Sequence, residues 1–141
     1  MMLTPRKGFT LIELLIVVVL IGTLAMIAIP RFTMSRQKTF FAAMKADLRN
    51  AANAQEIYYS NHYYRYAGSA GQDANVALEL EFASSQGVGI TIQAAGSTGW
   101  SALATHAGLN FATQKCAMFY GNAPPLPPAT KPGLINCMGE P

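Results

Sequence analysis

Glu13 poses the first chemical question in this sequence, because it is the single charged side chain in the apolar run of 21 residues from 9 to 29. A carboxylate inside an apolar helix costs on the order of 2.5–3.5 kcal/mol on membrane-insertion scales. It therefore implies either a partner for the charge or a side chain that snorkels to the headgroups. Cys116 and Cys137 are the two cysteines, and no Cys-x-x-Cys or Cys-x-x-Cys-His spacing accompanies them. A single disulfide in an oxidising compartment fits this pattern, the alternative being two separate buried thiols. His62 and His106 are isolated from each other and from any acid or thiol at metal-ligand spacing. There is no Gly-x-Ser-x-Gly, no phosphate-binding glycine loop and no His/Cys metal pattern. The expectation is a chain with no catalytic residues, no metal and no cofactor, that is, not an enzyme.

Elements must position these residues, and composition bounds what they are. With 141 residues the chain suits one small domain with one further element. It is 51% hydrophobic and 12% charged, whereas soluble domains are about 25% charged, so something besides a soluble core absorbs the apolar excess. The formal charge of +3 comes from ten Lys+Arg against seven Asp+Glu, and without residues 1–8, which hold Arg6 and Lys7, the balance is eight against seven. Such a small excess gives nucleic acid weak support as a partner. As a helix, residues 9–29 extend roughly 32 Å, against a hydrocarbon core of about 30 Å. The run is longer than the apolar region of a secretory signal peptide, and the Arg6-Lys7 pair favours a cytoplasmic N-terminus with residues 31–141 outside the membrane.

Residues 31–62 contain no Gly or Pro and space Phe41, Met44, Leu48, Ala52 and Tyr59 as one face of an amphipathic helix. That helix continues the first, from Phe9 to near His62, for about 80 Å. Strands are expected at residues 88–95, 100–106 and 114–120, with a turn at 96–99, in a three- or four-stranded antiparallel meander on the helix. Residues 76–82 alternate like a strand but are also compatible with a short helix. Tyr58, Tyr59, Tyr63, Tyr64 and Tyr66 gather at the helix end and read as packing, in preference to stacking on single-stranded DNA or contact along a polymer. No charged residue falls between Phe82 and Gln114, which points to an outer sheet face that partly meets another subunit or is coated by Ser and Thr.

The segment Lys7-Gly8-Phe9-Thr10-Leu11-Ile12-Glu13 and the apolar residues behind it resemble the class III leader and N-terminal signature of type IV pilins and type II secretion pseudopilins. The resemblance covers residues 6–30. It implies an α+β fold: a long N-terminal α-helix, transmembrane then amphipathic, packed on a small 3–4 stranded antiparallel sheet. It also implies a leader at 1–8, a transmembrane and polymerisation helix at 9–30, and a head at 31–141. Prepilin peptidase would cut between Gly8 and Phe9, the new N-terminal Phe9 would be N-methylated, and Glu13 would pair with the Phe9 ammonium of a neighbouring subunit. Gly22 and Pro30 occupy places where the family carries helix-loosening residues; an ordinary kink at the membrane exit is the other reading. The proline-rich stretch between Cys116 and Cys137 resembles the disulfide-bounded C-terminal loop of the pilins. The implied function is that of a structural subunit of a type IV pilus serving adhesion, motility or DNA uptake. The implied partners are a homopolymer, prepilin peptidase and the assembly platform of the inner membrane. The chain would reside in that membrane before assembly and in an extracellular filament after it. A minor pilin, a pseudopilin and a DNA-binding competence pilin are the alternatives.

Overall fold

The computed structural model describes residues 8–68, 80, 82–95 and 97–141. The chain divides into two compact units, Met1–Ser35 and Arg36–Pro141. Helix α1 spans Leu11–Asn61 and contributes to both.

In the first unit α1 is apolar on all sides, and its large side chains from Leu11 to Ile29 are exposed. A helix of this kind belongs in lipid or in a bundle with other helices. It is long and apolar enough to cross a membrane. Pro30 lies within the helix and does not end it. Its ring removes one backbone donor, while the Thr33 hydroxyl donates to the Ile29 carbonyl at 2.9 Å, a side-chain bond inside the same turn.

In the second unit α1 buries Phe41, Met44, Leu48 and Ala51, at steps of three and four. Phe41, Met44 and Leu48 pack against one face of an open antiparallel sheet of order β1-β2-β3-β4. The strands are β1, Val88–Ala95; β2, Gly99–His106; β3, Lys115–Gly121; and β4, Asn136–Met138. Alternation along each strand decides what meets the helix. Val88 and Ile92, Trp100, Ala102 and Ala104, and Cys116 and Met118 form the buried core with α1. The register places Trp100 opposite Tyr120 and Ala104 opposite Cys116.

The first three strands fall where the residue pattern expects them, β3 being shifted by one residue. Residues 76–79 and 81 lie outside the described residues, so the strand-or-helix question there stays open; Leu80 is buried in the core and Phe82 packs against it. β4 has no counterpart in the pattern, being three residues long and held beside β3 by its register with Cys116 and Cys137 opposite each other. The outer face of the sheet also departs from expectation. Leu103, Ala117 and Phe119 point away from α1, yet they are buried under Ala129 and Leu126 of the proline-rich segment. Part of the charge-free face is thus covered by the chain itself, which needs no charged residues beneath its own loop.

Candidate assembly site and the anchors of the head

The sequence makes Thr10 the N-cap of α1, since Thr-x-x-Glu ahead of an apolar run is the capping-box pattern. Thr10 N–H donates to Glu13 Oε2 at 2.9 Å, the Thr10 hydroxyl donates to the same oxygen at 2.7 Å, and Glu13 N–H donates back to Thr10 Oγ1 at 3.3 Å. Glu13 therefore has a local partner that the sequence reading missed. The signal lies in Thr10 and Glu13 themselves, a Thr-x-x-Glu ahead of an apolar run. Both contacts use Oε2, which leaves Oε1 as an open acceptor on the exposed side chain.

Gly8 and Phe9 precede the helix, and both are exposed. No atom lies within 4 Å of where a Gly8 Cβ would stand, and the same holds for Gly22. Nothing among the described residues requires glycine at either place, so a requirement at Gly8 would come from a molecule that must approach this backbone. Gly22 and Pro30 both lie inside the continuous α1.

Two polar side chains on the buried face of α1 hold the connection from helix to sheet. Gln55 donates through Nε2 to the Ala67 carbonyl at 2.9 Å and accepts from Ala67 N–H at 2.8 Å through Oε1. It does so at 0% exposure, with both ends of its amide satisfied. Just over two turns earlier, Asp47, 3% exposed, accepts from Ser85 N–H at 2.6 Å and from the Ser85 hydroxyl at 2.9 Å. These clamps fasten the chain on either side of residues 68–84. Asp47 is buried but Ser85 is exposed, so its donors can turn to water when the acceptor is lost, and Asp47→Ala is expected to lower the unfolding free energy by ~1–3 kcal/mol through the lost charge-assisted pair. Urea unfolding followed through Trp100, the single tryptophan and 1% exposed, measures it.

Cys116 and Cys137 form a disulfide across a sequence separation of 21. It sits on the α1 side of the sheet, joining β3 to the edge strand β4. Lys45 adds an ion pair to Glu140 at 2.6 Å, but both side chains are about a third or more exposed, so this pair contributes little. His106 stacks on Phe40 with ring centroids 4.0 Å apart, and His62 stacks on Tyr58 at 3.8 Å. The tyrosine group divides. Tyr59 stacks on Tyr66, and burial beside Glu56 pushes the Tyr66 phenol up to about 12, so it keeps its proton and donates to Glu56 at 3.4 Å. Tyr63 and Tyr64 are instead exposed, contrary to packing for the whole group.

Comparison with known proteins adds to this geometry. The family description Prokaryotic N-terminal methylation motif matches residues 3–29. The chain is 34% identical over 103 residues to the type IV wide pilus major component PilA4 of Thermus thermophilus, covering 72% of this chain and 75% of that one. It is 41% identical over 70 residues to the type IV major pilin protein PilA of Myxococcus xanthus, covering 48% of this chain and 32% of that one. It is 33% identical over 60 residues to the type II secretion system core protein G of Escherichia coli, covering 42% of this chain and 41% of that one. The match thus spans well under half the length of the Myxococcus and Escherichia relatives. A methylation motif at the head of a long helix, a four-stranded sheet behind it, and a sequence likeness covering three quarters of the Thermus subunit define the class: the chain belongs to the type IV pilin and pseudopilin superfamily.

Proposed function

We propose that this chain is the precursor of a type IV pilus subunit, a structural polymer in which residues 9–30 of many copies form the filament core. The observation that carries this reading is the apolar helix left uncovered by its own chain, with one carboxylate in its first turn and an exposed Gly8-Phe9 bond ahead of it. Residues 1–8 act as a leader, which prepilin peptidase removes before Phe9 is N-methylated. The subunit waits in the inner membrane, and the assembly platform there feeds it into an extracellular filament. During that passage the helix loosens between Gly22 and Pro30, where propensity is lowest. The head, residues 31–141, forms the outer layer, and its role is binding and exposure, with no chemistry of its own. The likeness to the secretion core protein G favours a second reading, a pseudopilin. Abundance in surface filaments separates the two, because a pseudopilin is scarce there.

Intact-mass analysis of sheared surface filaments tests the processing. The subunit is expected to begin at Phe9 with one added methyl group, and Gly8→Leu to remain as full-length precursor in the membrane fraction. Filaments built from chains that still carry Met1 would overturn the reading.

A further inference from the structure

Within the head, α1 carries a second line of residues besides the one it buries. Ala42, Ala46, Arg49, Asn53, Glu56 and Ser60 follow one another at alternating steps of four and three, and all of them are exposed. Phe41, Met44, Leu48 and Ala51 meanwhile hold a different face of the helix against the sheet. Alternating steps of four and three average 3.5 residues, the spacing at which a helix keeps a continuous line of contact with another helix beside it. The line therefore has the form of a helix-packing seam.

Two charges lie on this seam, Arg49 and Glu56, seven residues apart. Seven residues are two turns, about 10.5 Å along the axis, so the two cannot meet within one chain. Among the described residues neither has an opposite charge beside it. The ion pair there joins Lys45 to Glu140, and Asp47, the acid nearest to Arg49 in sequence, is buried and accepts from Ser85. Glu56 receives a long hydrogen bond from the Tyr66 hydroxyl, at 3.4 Å.

A second copy of α1 supplies the missing match. Copies that enter one membrane in the same orientation stand parallel, and in register they would set Arg49 against Arg49 and Glu56 against Glu56. Like charges so placed repel, and that register is disfavoured. A displacement of one heptad keeps the seam in phase and changes the pairing. Ala46 of one copy then meets Asn53 of the next, and Arg49 meets Glu56. An antiparallel pair would also match the charges, but the shared orientation excludes it.

We propose that neighbouring subunits in the filament pack α1 against α1 in parallel, offset by one heptad, with Arg49 of one copy paired to Glu56 of the next. Every such contact leaves one Arg49 and one Glu56 unmatched at the ends of the stack, so the arrangement repeats without closing. This inference rests on the filament reading above. It gives the head a register determinant of its own, separate from Glu13.

The test uses the full-length chain assembled into filaments. Arg49→Glu and Glu56→Arg each place like charges at the contact and should lower filament yield about tenfold relative to the membrane pool, whereas the two together should restore it to within about threefold of wild type. Tyr66→Phe removes the hydrogen bond to Glu56 inside the chain and should leave the yield unchanged. The geometry is read independently of yield. Filaments mixed from Ala46→Cys copies and Asn53→Cys copies should form heterodimers with a short bismaleimide, since the native cysteines are held in their disulfide, and filaments of either variant alone should not. Normal assembly of the single reversals, a double reversal as poor as either, or crosslinks between Ala46→Cys copies overturns the proposal. A wild-type chain that makes no filaments overturns the assembly reading itself, and filaments that form without the crosslink from 46 to 53 overturn this contact alone.

Discussion

Glu13→Gln should leave the chain cleaved and stable in the membrane while lowering filament yield by about tenfold or more, the scale of one desolvated charge pair. The capping box is what makes this substitution informative. Glutamine can also accept from the Thr10 backbone and hydroxyl, so the helix start survives and the charge alone is removed. Insertion becomes easier, because a neutral amide costs less in lipid than a carboxylate. A chain that used Glu13 merely to cap its helix or to snorkel would therefore tolerate the change or gain from it. Thr10→Ala is the complementary variant, since it breaks the box and keeps the charge. It is expected to cost about 1 kcal/mol of helix stability and to leave assembly measurable. Filament yield against membrane-pool abundance reads both, with cleavage checked by mass. Normal assembly of Glu13→Gln would remove the charge pair from the mechanism.

Cys137→Ser is expected to lower the stability of the head by about 2–5 kcal/mol, against about 3 kcal/mol from the entropy of closing a loop of this length. The effect should be local at first. Among the described residues β4 pairs with β3 alone and has three residues, so the bond at Cys116 and Cys137 is the covalent hold on this edge and the residues before it. Native-state hydrogen exchange should show residues 133–138 opening well before β1 and β2. Free-thiol labelling of unreduced, unfolded protein should be negative for the wild type; labelling at both cysteines in material from the cell surface would count against the staple acting there.

The large elements were legible because they follow from periodicity. α1, β1, β2 and β3 each declare themselves through spacing and turn residues, and the Cys pair through its isolation and the prolines between. Asp47 and Gln55 were not legible, since a polar residue on a helix reads as solvated unless its partner is known, and those partners lie 12 residues (Ala67 from Gln55) and 38 residues (Ser85 from Asp47) along the chain. β4 was missed for a related reason, as three residues carry no pattern and only the disulfide register defines them. The cover over Leu103 and Phe119 is a tertiary event that no local rule foresees. Glu13 is the opposite case: its box with Thr10 reaches only three residues along the chain and is a local sequence pattern, beside which the charge still reads toward an intermolecular pair or the headgroups.

The clamps at Gln55 and Asp47 have a consequence for how such a head can change over time. Ala67 and Ser85 are each fixed to α1 directly, so the core receives the chain at two set points besides the buried Leu80. Lengthening a tethered segment raises its closure cost only logarithmically, about 0.6 kcal/mol for each doubling. Apart from Leu80 and Phe82, which also pack in the core, the stretch between the clamps can therefore diversify in length and composition under selection from outside while the scaffold beneath stays the same.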